Sequence, residues 1–276
     1  MAGTLYLVAT PIGNLGDVTS RALETLRTVR FIACEDTRHS RVLLDHFGIG
    51  GKDLVSLPAF AEGQRAGRIL DRIAEGEDCA LVTDAGSPAI SDPGEKLVSE
   101  ALERGLTVVP IPGPTALVAA LSASGLPTGR FHFLGFIPRK GGERRAMLEE
   151  VAQLSATLVL YESPRRVGET LPDLLDVWGD RRACVARELT KLHEEFARGT
   201  LSELAARYAK EEPRGEVVVL VEGRTGERRW SEEELRKALE DGLSRGEKLK
   251  ALSTELARRA GWAGQDVYRL GLSLKR

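Results

Sequence analysis

Aspartate and serine residues concentrate in one glycine-containing segment of this 276-residue chain, at residues 84–94. Asp84, Ser87, Ser91 and Asp92 all fall in this segment, which is more polar chemistry than a simple connection requires. Such side chains either cap the following helix or hold the hydroxyl and amine groups of a ligand. We therefore treat the segment as a candidate binding loop, with helix capping as the alternative.

Three further polar segments, at residues 9–17, 35–39 and 110–114, also follow strand-like runs. In open α/β sheets the ligand crevice lies outside the carboxyl ends of the strands. If the strands are parallel, all of these segments meet at one edge of the sheet and form one site.

The sequence lacks the patterns of several common sites. No strand-like run is followed by GxGxxG, GxxxxGK[ST], GxSxG or the acidic, glycine-rich first loop of Rossmann-type methyltransferases. Dinucleotide, nucleoside-triphosphate and serine-hydrolase chemistry are therefore not expected. The four histidines show no ligand spacing, so we expect no protein-held metal. The three cysteines form no CxxC pair, which is typical of a reducing cytoplasm.

Short β-rich runs alternate with amphipathic segments of helix length, a pattern that predicts an α/β fold. Several runs are apolar throughout, as in strands that helices cover on both faces. The sequence PIPGPT at residues 110–115 interrupts the alternation, and Pro114 is expected to open a helix over 115–124. The predicted strands are 5–9, 31–35, 54–57, 79–84, 107–111, 131–136, 157–162, 183–188 and 216–222.

A second change of composition, at residues 223–229, predicts a linker. Beyond it the sequence carries no strand pattern and is expected to form two or three short helices. We therefore predict an N-terminal α/β domain at residues 1–114, a second α/β domain at 115–223 and a small helical domain at 230–276.

Charge and hydropathy narrow the class of protein further. Lys and Arg total 39 and Asp and Glu total 41, which gives a formal net charge of −2. No apolar run approaches the roughly 20 residues that a membrane-spanning helix needs, and no secretory signal is present. We therefore expect a cytoplasmic protein without membrane contact.

Eight segments in order carry a family resemblance: VATPIGNLGD (8–17), ACEDTRH (33–39), DAGSPAISDPG (84–94), PIPGP (110–114), SASGLP (122–127), GFIPRK (135–140), YESPRR (161–166) and ARELTK (186–191). Together they resemble the ribosomal RNA small subunit methyltransferase I family, within the tetrapyrrole-methylase-like (class III) S-adenosylmethionine methyltransferases. The resemblance implies a homodimer whose subunits hold S-adenosylmethionine between two α/β domains. It also implies 2′-O-methylation of a cytidine ribose in the decoding region of 16S ribosomal RNA in the small subunit.

Carried over position by position, the resemblance also implies a cofactor site. Its residues are Pro11, Asp84, Ala85, Gly86, Ile90, Ser91 and Asp92 in the first half, Ala116 past the interruption, and Tyr161, Ala186, Arg187 and Leu189 in the second half.

A methyl group on a sulfonium is already activated, so the enzyme needs chiefly to align the acceptor oxygen and remove its proton. The candidate catalytic residues are Glu35, Asp36 and His39, with Glu162 and Lys191 as further candidates. For Glu35 and Asp36 the alternative is helix capping and pairing with Arg38. For His39 the alternative is a polar surface position.

Attraction to RNA phosphates must be local, because the chain as a whole is not basic. Gly141 and Gly142 predict a flexible basic loop at residues 139–145 that closes on RNA, and solvated surface charge is the alternative. Residues 248–276 are also basic, but AGQD at 263–266 departs from the family's usual sequence and puts RNA contact by this tail in doubt. The candidate RNA-binding residues are Arg38, Arg139, Lys140, Arg144, Arg145, Arg165 and Arg166.

Two other functions stay open. One is a sibling methyltransferase acting on a tetrapyrrole or on a modified histidine of elongation factor 2. The sequence PIGNLG at 11–16 differs from the glycine-rich first loop of tetrapyrrole enzymes. The other is a non-catalytic RNA-binding or assembly factor with the same fold, against which the intact segment at 84–94 argues.

Overall fold

The computed structural model describes residues 1–58, 62–211, 213–225, 230–260 and 262–274. The chain divides into two compact units, one comprising Met1–Glu149 and Ala156–Glu222, the other Glu150–Ser155 and Gly223–Arg276. The first unit contains two five-stranded sheets with flanking helices, so the predicted α/β fold is confirmed.

The first sheet is parallel throughout. Its strands are β1 (Thr4–Val8), β2 (Phe31–Cys34), β3 (Asp53–Ser56), β4 (Cys79–Val82) and β5 (Thr107–Ile111), in the order β3-β2-β4-β1-β5. Because all the carboxyl ends lie at one edge, the polar segments after β1, β2, β4 and β5 share that edge. The neighbours β1 and β4 connect onward to opposite sides of the sheet, which is where open α/β sheets form their ligand crevice.

Four helices cover this sheet: α1 (Ser20–Thr28), α2 (Thr37–His46), α3 (Glu62–Ala74) and α4 (Glu95–Glu103). Successive strand residues point to opposite faces. Val8 and Ile32 share one apolar core with α1 and α2, and Leu5 and Phe31 share the other with α3 and α4. Burial on both faces explains why β2 and β4 in the middle of the sheet are apolar throughout.

The second sheet is mixed. Its strands are β6 (Phe131–Phe136), β7 (Thr157–Glu162), β8 (Arg182–Arg187), β9 (Glu195–Thr200) and β10 (Val217–Val221), in the order β6-β7-β10-β8-β9. Only β6 and β7 are parallel to each other. The last strand in sequence, β10, therefore lies in the middle of the sheet, and every residue in it is buried.

Four more helices accompany the second sheet: α5 (Ala116–Ala123), α6 (Gly141–Val151), α7 (Pro164–Trp178) and α8 (Leu201–Tyr208). Ala120 and Leu121 of α5 share an apolar core with Val218 and Leu220 of β10. Ile12, from the loop after β1, belongs to the same core, so the first loop of one sheet packs against the other sheet.

Two expectations about helix starts are wrong. The basic segment at 139–145 is not a flexible loop, because α6 begins at Gly141 and its Arg144 and Arg145 pair with Asp173 and Asp176 of α7. Pro114 does not open α5. The helix begins at Ala116, and Thr115 occupies the extended N-cap position (φ −147°, ψ 129°).

The second unit contains α9 (Glu232–Ser244), α10 (Leu249–Ala260) and α11 (Gly264–Leu274), which agrees with the predicted short helices. Leu235, Leu239 and Val267 are buried in its core. The predicted linker at 223–229 lies outside the described residues from 226 onward, and the predicted domain boundaries stay predictions. None of the helices in the described part of the chain has the length and apolar character to cross a membrane.

Candidate active site

A cavity of about 370 Å³ lies at the carboxyl edge of the first sheet, where residues of the second sheet form its opposite wall. This volume is within the range of pockets that hold small organic ligands. It is lined by Ile12, Ala85, Gly86, Ser87, Ile90, Ser91, Asp92, Thr115, Ala116, Phe136, Tyr161, Glu162, Ser163, Pro164, Leu189, Gly215, Glu216, Val217 and Val218.

A second cavity, of about 510 Å³, adjoins the first. Ile12, Ala85 and Glu216 line both cavities, so the two meet at these residues. The other lining residues come from the loop after β1, from α2 and from two further loops. They are Thr10, Pro11, Gly13, Leu15, His39, Val42, Leu43, His46, Asp84 and Lys191.

Two loops of the site hold residues other than glycine in the left-handed conformation. Ala89 (φ 67°) and Ser91 (φ 62°) lie in the loop after β4, and Glu188 (φ 49°) and Thr190 (φ 66°) follow β8. Each such residue costs about 1–3 kcal/mol, and strain of this kind persists mostly at functional sites. The strained backbone therefore marks these loops as functional rather than as plain connections.

The loops after β1 and β4 are tied together by a pair of backbone hydrogen bonds. The Thr10 N–H donates to the Gly86 oxygen at 2.9 Å, and the Gly86 N–H donates to the Thr10 oxygen at 3.1 Å. Gly13 (φ 151°) then lets the chain pass against Lys191, because a Cβ at Gly13 would lie 2.6 Å from the Lys191 side chain. The first loop and the loop after β8 thus approach each other closely.

Glu35, Asp84, Asp92 and Glu216 form a group of like charges at the site, which we name the carboxylate cluster. Burial, together with repulsion from the other three, raises the pKa of Asp92 to about 7. Burial and the charge of Asp84 also raise the pKa of Glu35. The Oδ1 atom of Asp84 is buried and has no hydrogen-bond partner in the described part of the chain. Repulsion within such a cluster destabilises the folded protein when no ligand is bound, and it favours binding of a cationic or hydroxyl-bearing ligand.

Tyr161 forms a rigid part of the wall contributed by the second sheet. Its hydroxyl accepts a hydrogen bond from the Leu117 N–H at 3.2 Å, at the start of α5. Its ring contacts Phe133 and Phe136 edge to face, with centroids 4.9 and 5.6 Å away. These contacts fix a flat aromatic surface inside the first cavity.

The predicted cofactor residues divide into three groups. Pro11 and Asp84 line the second cavity. Ala186 is fully buried in the core, and Arg187 pairs with Glu195 at 2.6 Å, so neither lines a cavity. The remaining eight line the first cavity: Ala85, Gly86, Ile90, Ser91, Asp92, Ala116, Tyr161 and Leu189.

The candidate proton acceptors have different surroundings. Asp36 caps α2, and its hydrogen bonds from the Arg38 side chain and backbone lower its pKa to about 2. His39 is exposed and lines the second cavity. Glu35 lies in the carboxylate cluster. Helix capping and pairing with Arg38, the alternative to a catalytic role, therefore applies to Asp36 and not to Glu35.

The two further candidates are held by other groups. Glu162 is buried and accepts hydrogen bonds from the Ser163 N–H and the Thr170 hydroxyl, each at 2.7 Å. Burial lowers the pKa of Lys191, but its bonds to Glu188 (2.9 Å) and Glu216 (3.2 Å) outweigh burial and raise it. Lys191 therefore stays protonated and does not accept a proton at neutral pH.

Most of the predicted RNA-binding residues have acidic partners. Lys140 pairs with Glu143 and Arg38 with Asp36. Arg166 pairs with Glu162 and also donates to the backbone oxygens of Ile137 and Pro138.

Helix α6 holds two arginines in pairs with α7. Arg144 pairs with Asp173 at 2.6 Å, and Arg145 pairs with Asp176 at 2.6 Å. We name these two contacts the α6–α7 ion pairs. Arg139 and Arg165 are exposed, and no ion pair is seen for either within the described residues.

Several site residues have no sequence signal of their own. Glu216 immediately precedes β10 and lines both cavities, yet in the sequence it resembles only the start of a strand. Phe136, Val42 and His46 resemble ordinary core or surface residues of their elements. Their shared location depends on how the two sheets face each other, which local patterns do not encode.

The chain is similar to known proteins over most of its length. The family of Tetrapyrrole (Corrin/Porphyrin) Methylases matches residues 4–205. The protein named Ribosomal RNA small subunit methyltransferase I of Synechocystis sp. is 46% identical over 279 residues, 99% of each chain. Its namesake in Halalkalibacterium halodurans is 47% identical over 97% of this chain and 94% of that one. The chain belongs to the ribosomal RNA small subunit methyltransferase I family.

Solved structures agree with this family's fold. A uroporphyrin-III C-methyl transferase from Thermus thermophilus, complexed with S-adenyl homocysteine, has a TM-score of 0.60 at 21% identity and covers 80% of this chain and 97% of its own. A diphthine synthase has a TM-score of 0.62 at 18% identity, covering 81% of this chain and 91% of its own. The predicted family and two-sheet architecture are confirmed.

The first cavity suits the cofactor class of this family. The carboxylates of Asp92 and Glu216 complement a molecule that carries a sulfonium and an ammonium group. The apolar wall and the ring of Tyr161 suit an adenine ring. The residues present therefore fit S-adenosylmethionine.

Proposed function

We propose that this protein transfers the methyl group of S-adenosylmethionine to the ribose 2′-oxygen of a cytidine in the decoding region of 16S ribosomal RNA. The acceptor would be the small ribosomal subunit or its RNA, which places the enzyme in the cytoplasm. The proposed enzyme works as a homodimer. The names of the relatives support the RNA substrate, and the resemblance of the motifs supports the ribose chemistry.

The observation that carries the proposal is the junction of the two cavities at Ile12, Ala85 and Glu216. Both cavities are partly open and mostly apolar, and the carboxylate of Glu216 belongs to both. A methyl donor in the first and a sugar in the second would meet at this junction, as an in-line transfer between two bound molecules requires.

The residues of the chain bind and orient the two reactants. When bound, S-adenosylmethionine supplies a methyl group on a positively charged sulfur. Asp92 and Glu216 would hold its cationic groups, and Tyr161 and Ala116 would bound its apolar part. The left-handed residues Ala89 and Ser91 keep the loop after β4 in the shape that forms this wall.

Glu35 lines neither cavity itself, but it interacts with Asp84 of the second cavity, and its electrostatics favour it as the proton acceptor. Its raised pKa makes its carboxylate a stronger base than an exposed glutamate, and the Asp84 N–H donates a hydrogen bond that holds it in place. Lys191 stays protonated, Asp36 is a weak base, and Glu162 is already occupied by Ser163 and Thr170.

The test is methylation by the purified protein of small subunits, and separately of naked 16S RNA, taken from cells that lack this gene. Nucleoside mass mapping should then locate one 2′-O-methylcytidine in the decoding region. A methyl group on a base, or a product in another region of the RNA, would correct the site or the chemistry. No methylation of either substrate would overturn the proposal.

Calorimetry separates the alternatives. Binding of S-adenosylmethionine is expected, and no heat would favour a non-catalytic assembly factor. Methylation of a tetrapyrrole or of an elongation factor, with none of RNA, would favour a sibling activity.

A further inference from the structure

One face of α2 is apolar and exposed inside the second cavity. His39, Val42, Leu43 and His46 follow helical spacing and line the cavity together. Val42 is 71% exposed, which is unusual for a valine inside a concave site. The His46 ring packs edge to face on Phe47, with centroids 4.8 Å apart. This face offers a flat, partly aromatic support.

The charges of the second cavity have a definite pattern. Asp84 and Glu216 line it beside the junction with the first cavity, so this part of it is acidic. Lys191 also lines it and bonds Glu216 at 3.2 Å, and Arg38 and Arg41, the neighbours of His39 and Val42 in α2, are exposed basic side chains of the same helix. Arg38 is 90% exposed even though it contacts Asp36.

A nucleotide fits this pattern in one orientation. Its sugar hydroxyls are donors that suit Asp84 and Glu216, and its phosphates suit the exposed arginines of α2. Its base would then lie along the α2 face, where stacking on histidine and contact with an aliphatic side chain stabilise unpaired bases. A macrocycle bearing several carboxylates would be repelled by Asp84 and Glu216.

From this arrangement we infer that the second cavity binds one unpaired nucleotide, extruded from the RNA, with its base on Val42 and His46 and its ribose toward the junction. A base within a duplex is stacked on both sides and does not reach a concave site. The inference rests on the proposed function, because it supplies the substrate subsite for that reaction.

The experiment uses the full-length protein, S-adenosyl homocysteine and a hairpin RNA of the decoding region. In one version of the RNA the target nucleotide is abasic. The loss of the base should weaken binding to the unmodified protein about 10-fold. Removal of the base should have little effect on RNA binding by the Val42→Glu and His46→Ala variants, because these proteins have already lost their contact with the base.

Matched variants control for charge and for folding. Leu102→Glu adds the same charge to an exposed apolar residue of α4 that lines neither cavity, and should behave as the unmodified protein does. His46→Phe keeps a flat ring and should restore most of the binding lost in His46→Ala. Affinity for S-adenosyl homocysteine should be the same in all variants.

The outcomes separate the two proposals. Suppose that the unmodified protein methylates small subunits, but that removal of the target base weakens RNA binding as much in Val42→Glu and His46→Ala as in the unmodified protein. The nucleotide subsite is then wrong and the proposed function stands. If the unmodified protein methylates no RNA at all, both are wrong. The subsite is supported if the abasic RNA binds more weakly than the intact RNA to Leu102→Glu, but equally well to Val42→Glu and His46→Ala.

Discussion

The carboxylate cluster brings like charges together, whereas the α6–α7 ion pairs join opposite charges. In the cluster, Asp92 and Glu35 lie near other carboxylates, and burial and repulsion raise the pKa of each. In the pairs, Arg144 and Arg145 each meet an aspartate at 2.6 Å. The members of the cluster come from separate parts of the sequence, and the sequence predicts a basic loop at Arg144 and Arg145, so only the structure shows both arrangements.

The difference indicates what each region contributes. Opposite charges in contact stabilise the folded chain, so the α6–α7 ion pairs serve stability. Like charges brought together destabilise it and are kept where a ligand needs them. Substitutions in the cluster should therefore change activity more than stability, and substitutions in the pairs should do the reverse.

The largest effect is expected from Glu35→Gln, which removes the proposed proton acceptor and keeps the shape of the side chain. We expect the turnover number to fall about 100- to 10,000-fold with RNA affinity unchanged. Methylation rates at saturating RNA and cofactor measure this, with Glu24→Gln on the exposed side of α1 as the control. Unchanged turnover with full RNA binding would remove Glu35 from the mechanism.

Next in size is the effect of Arg144→Ala. Its side chain is only 13% exposed, so the substitution leaves Asp173 without its partner in a partly buried place. We expect the free energy of unfolding to fall by about 1–2 kcal/mol, with cofactor affinity unchanged. Arg145→Ala, at a side chain that is 58% exposed, should cost about 0.5 kcal/mol or less in urea denaturation. Equal losses would contradict the distinction between the two pairs.

A smaller effect concerns the pH dependence of stability. The pKa of Asp92 is about 7 in the folded chain and about 4 when unfolded, so the folded state binds the extra proton between these values. The free energy of unfolding should therefore fall as pH rises from about 4 through about 7, by about 1 kcal/mol after solvent screening. Asp92→Asn should flatten this decline in the cofactor-free protein. A decline of the same size in the variant would assign it to other groups.

The smallest effect is expected at the exposed arginines. Arg139→Glu should lower RNA affinity a few-fold and reduce the slope of log affinity against log salt by about 1, because a phosphate contact is lost. Arg144→Glu is a poor probe because it also breaks an ion pair. An unchanged salt slope in Arg139→Glu would indicate that this residue is solvated surface charge.

Much of the fold was readable from the sequence because nine of the ten strands in the described part of the chain coincide with a run of β-branched, aromatic or other apolar residues. Each of the nine predicted strands exists, with ends shifted by at most two residues. The tenth strand, β9, was not predicted, because its sequence EFARGT mixes charged and small residues and contains no apolar run.

The site was only partly readable. The loop after β4 stood out because its polar residues exceed what a turn needs, and the family resemblance supplied most of its neighbours. Glu216, Val42 and His46 were missed because each is ordinary within its own element. The left-handed backbone of Glu188 and Thr190 was also hidden, since neither residue type favours that conformation. Such features arise from the tertiary arrangement.

The central place of β10 has a consequence for how the protein is made. A nascent chain that has not yet extended past Val221 presents β7 and β8 with unpaired inner edges, and it lacks the wall that Val217 and Val218 add to the first cavity. Translation of nearly the whole α/β unit must finish before that sheet closes. Premature termination anywhere upstream of β10 should therefore yield aggregation-prone, inactive fragments instead of a smaller working enzyme.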